Sequence, residues 1–195
     1  MENGKTDNRK RLMECAEELF YAKGYDATGV QEIVEMAGVT KPTLYYYFGS
    51  KRGLLEALID EKSGWLHQRI RDSMGSSEGI AQKLRTLARI YCRFFVEEHK
   101  FYMILMALFY SARENEAYQA VKPCLEDFYG WVLQFFENAS SELGNMHGRQ
   151  KQFAISFIGA VNQYLVYAWD QEILQEDWEA RMDALTDQFM YGIFS

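Results

Sequence analysis

Apolar residues along this chain recur at intervals of three and four with almost no strict alternation, the periodicity of helices rather than strands. Leu12, Cys15, Ala16, Leu19 and Phe20 form one such stripe, which Lys23-Gly24 closes with a basic last turn and a glycine stop. A second, shorter helix is expected after Thr28 as its cap, with Val30, Ile33, Val34 and Ala37 inward and Gly38 at its end. Thr40 then caps a third helix of about two turns, with Pro42 in the first turn, where no backbone N–H is needed. Gly49-Ser50 breaks and recaps, and Leu54, Leu55, Leu58, Ile59, Trp65, Leu66 and Ile70 predict a fourth helix over 51–74. Beyond a small, polar loop at Gly75-Ser76-Ser77-Glu78-Gly79, five more helices are expected over roughly 78–98, 100–113, 116–142, 149–173 and 176–193. Pro123 should kink the third of these; 142–148 reads as a loop, and Gln175-Glu176-Asp177 offers acidic residues to the final helix dipole. The expected fold class is all-α.

Composition narrows what such a helical protein can be. At 195 residues and 48% hydrophobic the chain can pack a sizeable core. Its longest wholly apolar run, Phe101 to Tyr110, is far short of the roughly 20 residues that span a bilayer, so it predicts a buried core helix and no membrane partner. The polar start Met1-Glu2-Asn3-Gly4-Lys5 does not look like a secretory signal. Cys15, Cys92 and Cys124 make neither a metal pattern nor a disulfide framework, and a reducing cytoplasm is the expected location. His67, His99 and His147 are scattered singles with no triad, H-E-x-x-H or glycine-rich phosphate loop beside them, so neither an enzyme nor a metal or cofactor site is expected.

The net charge of −7 argues against a nonspecific polyanion binder, and even residues 1–62 hold nine Lys/Arg against eleven Asp/Glu. Placement matters more than the sum. Lys5, Arg9, Lys10 and Arg11 crowd the N-terminal arm, while Lys41, Lys51 and Arg52 flank a short aromatic segment. Two short helices joined by a tight Gly-Val turn, the second followed at once by another capped helix, have the geometry of a helix-turn-helix. If Leu44 and Phe48 pack inward, Lys41, Thr43, Tyr45, Tyr46 and Tyr47 are left outward or sideways. Three consecutive tyrosines suit a surface that meets DNA, because phenolic hydroxyls donate to phosphates and the rings cover sugar and thymine methyls.

The blocks Ala16-Glu17-Glu18-Leu19-Phe20, Gly24-Tyr25, Ile33-Val34-Glu35-Met36-Ala37-Gly38-Val39, Thr43-Leu44-Tyr45-Tyr46-Tyr47-Phe48 and Ser50-Lys51 occur in order and in register. Over residues 10–60 or so the chain thereby closely resembles the TetR family. It departs from the family pattern at Val34, Gly29 and Pro42, the last of which should stiffen the third helix and narrow its contacts. The resemblance implies a helix-turn-helix DNA-binding domain over 1–50, a connecting helix over 51–74, and a helical bundle for ligand binding and dimerisation over 51–195. It implies that Lys41, Thr43 and Tyr47 approach base edges, that Tyr45, Tyr46 and Lys51 grip phosphates, and that Gln31 reaches a base or a phosphate. Thr40, Pro42 and Ser50 complete the candidate DNA-binding set, with Thr28 and Ser50 also read as plain caps.

Residues 78–173 are dense in large, soft side chains, most of which must be core. Helical bundles also build small-molecule sites from such residues. The resemblance places pocket walls on the middle helices, which selects Met103, Met106, Phe128, Trp131, Phe157, Gln163 and Tyr167 as candidate ligand contacts. Family members pair through their last two helices. Here Gly159-Ala160 offers a small-residue face, and Phe189, Met190, Ile193 and Phe194 an apolar face wanting cover. The implied partners are a palindromic double-stranded DNA operator, a small apolar or amphiphilic effector that releases it, and a second copy of the chain.

Overall fold

The structure, a computed structural model, describes residues 2–75, 78–140, 142–143, 146, 148–172, 174 and 177–192, with side chains from residue 7 onward. Among them the regular structure is helical: α1 (Glu2–Lys23), α2 (Val30–Met36), α3 (Lys41–Phe48), α4 (Lys51–Met74), α5 (Ile80–Glu97), α6 (His99–Phe109), α7 (Glu116–Asn138), α8 (Gln150–Asp170) and α9 (Trp178–Tyr191). The all-α expectation holds. No described helix is long and apolar enough to cross a membrane. The expected residues Lys5 (its side chain), Ser76, Ser77, Gly144, Asn145, His147, Gln175, Glu176, Ile193 and Phe194 lie outside the described residues.

Packing divides the chain into two units, residues 1–64 with 98–124, and residues 65–97 with 125–195, so that the division falls within α4 and within α7. In the first unit α1 packs against α2, α3 and α6. The α1 stripe is its spine: Leu12, Met13, Ala16 and Phe20 are buried together with Ile33 and Val34 of α2, Leu44 of α3, Leu54, Leu55 and Leu58 of α4, and Phe101 and Tyr102 of α6. The ten-residue apolar run is thus the core helix its length predicts. In the second unit α5 packs against α8 and α9, and α8 against α9. Arg89 of α5 chelates Asp183 of α9 through two N–H groups, and Arg85 meets Asp187 at 2.6 Å one turn on.

Several ends differ from the periodic reading, each for a local reason. α6 stops at Phe109, because the Ser111 hydroxyl donates to the Leu108 carbonyl at 2.7 Å and competes with the continuing helix. α9 starts at Trp178, after Asp177 in a left-handed conformation that no helix can contain. Thr28 is not a cap: its buried hydroxyl donates back to the Gly24 and Leu19 carbonyls, at 2.8 and 3.3 Å, and closes the end of α1. Gly29 is the α2 N-cap instead, its N–H held by the Glu32 carboxylate at 3.2 Å. Finally, Phe189 is half-buried. Its ring sits 5.3 Å from Phe157 and 6.2 Å from Phe136, inside an aromatic cluster of α7, α8 and α9.

Candidate nucleic-acid interface

α2, a four-residue turn at 37–40 and α3 form the motif, and three features fix its shape. The turn passes through Gly38 at φ +64, with the Arg11 guanidinium 3.1 Å from where a Cβ would be, so a side chain there is strained and crowded. The corner from α3 into α4 passes through Gly49 at φ +73. Inside the first turn of α4, a Cβ on Gly53 would stand 2.0 Å from the Phe48 carbonyl oxygen. Gly53 is therefore what lets α4 close on the end of α3. The periodic reading missed it, although a glycine inside a helical pattern is itself the signal of a close approach.

α3 is anchored by Leu44, 0% exposed, and turns the opposite side outward. Lys41 and Pro42 are exposed, as are Tyr45 (48%) and Tyr46 (72%). Spacing of four places Lys41 with Tyr45 and Pro42 with Tyr46 along one outer surface. Tyr47 and Phe48 are half-buried; the Tyr47 ring stands edge-on to Tyr46 at 5.1 Å, and the Arg9 guanidinium lies 5.6 Å from the Phe48 ring centre. Thr40 and Thr43 share a hydroxyl hydrogen bond of 3.0 Å across the first turn. Ser50 accepts from the Gly53 N–H at 2.9 Å and so caps α4. Gln31 is exposed on α2, with its amide donating to Glu35.

Lys51 is placed differently from its neighbours. Its ammonium donates to the Tyr25 and Thr28 carbonyls, at 3.0 Å each, and stands 4.0 Å from the Tyr25 ring centre. It staples the start of α4 to the α1–α2 connection, leaving one of its three donors for another partner. Tyr25 is itself fastened, its hydroxyl donating to Glu116 at 2.7 Å; burial first, and that bond second, push its pKa well above the usual phenol range. Further along α4, Lys62 pairs with Glu98 at 2.6 Å and Glu17 at 3.4 Å. Burial raises the Glu17 carboxyl against the pull of Lys62. At α2, Glu32 is held below the usual carboxylate range by its bond to Lys23 and then by the Gly29 N–H.

The seven candidate ligand residues fall in both units. Met103 and Met106 are half-buried on α6 in the first unit, and the other five belong to the second. There Phe128 packs on Tyr91 at 5.0 Å, Trp131 sits edge-on to His67 at 4.4 Å, and Phe157 belongs to the aromatic cluster. Gln163 and Tyr167 are exposed on α8. A cavity of about 430 Å³ opens elsewhere in this unit, between the start of α5, the end of α7, the start of α8 and the end of α9. Leu84, Phe136, Met146, Phe153 and Phe189 give it apolar walls, with Arg149 and Glu142 as the charged groups among its described lining residues. None of the seven lines it, but Phe157 stands behind its Phe136 and Phe189 walls.

A helix braced on α1 and α2 through one buried face, with a lysine and tyrosines on the other, defines a helix-turn-helix protein. Residues 12–58 match the family of bacterial regulatory proteins, tetR family. The chain is 29% identical over 129 residues to the HTH-type transcriptional activator FasR of Mycolicibacterium smegmatis, a match covering 65% of this chain and 59% of that protein. It is 34% identical over 86 residues to the HTH-type transcriptional repressor BdcR of Escherichia coli, covering 42% and 44%. These matches span less than two thirds of the relatives' own length. The fold is shared with the MbdR regulator of Azoarcus sp. CIB (TM-score 0.79, 19% identity, 96% of this chain and 100% of that one). It is also shared with the transcriptional regulator FadR of Bacillus subtilis in complex with stearoyl-CoA (TM-score 0.78, 19% identity, 94% and 98%).

Proposed function

We propose that this chain is a sequence-specific DNA-binding transcriptional regulator, a repressor released from a palindromic operator by a small apolar or amphiphilic effector. The observation that carries the reading is the two-sidedness of α3: Leu44 is fully buried while Lys41, Tyr45 and Tyr46 face out from the same two turns. Lys41, Thr43 and Tyr47 read base edges, Tyr45 and Tyr46 hold phosphates, and Gln31 reaches a base or phosphate from α2. Lys51 supports the motif from behind, and its remaining donor faces a phosphate.

The protein acts as a homodimer through α8 and α9. Ile155, Gly159, Gln163 and Tyr167, spaced by four, form an exposed stripe along α8 that favours this pairing, and a Cβ on Gly159 would meet nothing within the chain. A two-fold axis calls for two half-sites about one helical turn of DNA, or a multiple of it, apart. The 430 Å³ cavity falls in the usual range of ligand pockets, roughly 300–1,000 Å³, and supports an effector with an apolar body and a polar end. Such an effector must bind the DNA-incompetent arrangement better than the competent one, with a typical coupling of about 1–3 kcal/mol.

The test is a shift assay on the operator at several salt concentrations. Wild type should lose affinity steeply with salt, with a log–log slope of about −0.9 per neutralised phosphate. Lys41→Ala should cost roughly 1–3 kcal/mol on the matched operator and little on a mismatched one, relaxing specificity. Equal losses for Lys41→Ala on every sequence would refute the base-reading role, and a flat salt dependence of wild type would refute DNA binding itself.

A further inference from the structure

The acidic balance of the first unit hides an uneven distribution of charge. Residues 1–62 hold nine lysines and arginines, and most of those whose side chains are described are already engaged. Arg9 pairs with Glu61, Lys10 with Glu14, Lys23 with Glu32, Arg52 with Glu56, and Lys62 with Glu98 and Glu17. Lys51 donates to the Tyr25 and Thr28 carbonyls. Two basic groups are left, Lys41 and Arg11, both exposed and without an ion pair or hydrogen bond to another described residue. Their positions are related. The Arg11 guanidinium, midway along α1, lies against the turn of the motif, 3.1 Å from where a Cβ on Gly38 would stand. Gly38 precedes Lys41 by three peptide units, at most about 11 Å from Cα to Cα. That span is close to the roughly 12 Å width of the major groove of DNA. The acidic residues on either side of Arg11 are directed elsewhere: Glu14 pairs with Lys10, and Glu35 accepts from Gln31. Asp7, one turn earlier in α1, forms no ion pair with it.

We propose that Arg11 is a further DNA-contacting residue, which grips a backbone phosphate beside the bases read from α3. The inference rests on the DNA-binding reading of α3 and adds to it a contact from α1. A guanidinium is planar, always charged, and carries donors that match phosphate oxygens in pairs. Arg11 has no bond in the fold to give up, whereas Arg9, Lys10 and Arg52 must first leave a carboxylate. Its distance from Lys41 puts it at the rim of the groove when the lysine meets a base edge at the floor. Phosphate contacts of this kind fix register and carry no sequence information. Two unengaged charges at one turn also explain how a unit with more acidic than basic residues can hold a polyanion. Affinity follows the charges that displace counterions, not their sum over the chain.

Fluorescence anisotropy of the full chain tests the proposal, on a duplex selected by wild type from a random-sequence pool and on a scrambled duplex of equal length. Arg11→Gln should weaken binding to both duplexes by the same factor and reduce the log–log salt slope by about 0.9. Its deficit against wild type should therefore be roughly 3.5-fold larger at about 50 mM salt than at about 200 mM. Arg11→Lys should restore most of the slope and less of the affinity, because it keeps the charge without the paired donors. Lys10→Gln, whose charge is held by Glu14, should change the slope much less. Melting of Arg11→Gln should stay close to wild type, since no bond within the fold is lost. Steep salt dependence in wild type with slope and affinity unaltered by Arg11→Gln would overturn the assignment and leave the reading of α3 standing. A loss confined to the selected duplex would overturn it too, since that is the mark of a base contact. Salt-independent behaviour of wild type on both duplexes would overturn this inference together with the DNA-binding reading.

Discussion

Replacing Lys51 by methionine removes an ammonium while keeping most of an apolar stem, and so isolates the staple between α4 and the α1–α2 connection. Two charge-assisted hydrogen bonds of 3.0 Å are lost, and the Tyr25 and Thr28 carbonyls are left without this donor. Hydrogen bonds to charged groups contribute about 1.5–3 kcal/mol each, and an exposed cation–π contact about 0.5–1. Lys51 is only half-buried and its contacts are not additive, so a total of about 2–3 kcal/mol is expected. For a chain of this size that lowers the melting temperature by roughly 4–12 °C, read by circular dichroism at 222 nm as an ordinary helix signal. DNA affinity should fall on matched and mismatched sequences alike. The salt dependence then separates two origins of that loss. If the third donor also meets a phosphate, the log–log slope shrinks by about 1; if the lysine is only a staple, the slope is unchanged. A Lys51→Met protein melting with wild type would refute the reasoning, because two buried-side carbonyls would then have lost a charged donor at no cost.

Gly53→Ala places a Cβ 2.0 Å from the Phe48 carbonyl and should force α4 off the end of α3; a loss of at least about 1–3 kcal/mol in denaturant unfolding is expected, against a small gain for an ordinary helical glycine. Leu44→Ala empties a fully buried position beneath the recognition surface and should cost about 2–5 kcal/mol, with DNA binding lost in step with folding rather than with salt slope. The Glu32 carboxyl is lowered by Lys23 and the Gly29 N–H, so its contribution is complete above its unfolded value of about 4.3 and is lost as pH falls through its lower folded value. Glu32→Gln should therefore flatten the acid limb of a stability–pH profile; an unaltered limb would show that the bonds to Lys23 and Gly29 do not matter.

Period and punctuation made the secondary structure legible, because a helix that buries one face must repeat apolar residues every three or four positions wherever it lies in the fold. That is why α1, α3 and α4 were readable, and why Leu44 could be assigned inward and Lys41, Tyr45 and Tyr46 outward from the sequence alone. Composition in register likewise carried the family resemblance in residues 10–60. Contacts between residues far apart in the chain leave no such period. Nothing near Lys51 announces that its ammonium turns back to carbonyls 23 and 26 residues earlier, or that the Tyr25 hydroxyl is held by Glu116. Thr28 looks like a cap in sequence because capping and back-bonding use the same hydroxyl; only the fold decides which carbonyl or N–H lies within reach. Aromatic residues are the hardest case. Phe157 and Trp169 are equally apolar on paper, and it is packing across α5, α7, α8 and α9 that puts one in a closed cluster and leaves the other exposed, edge-on to Phe95.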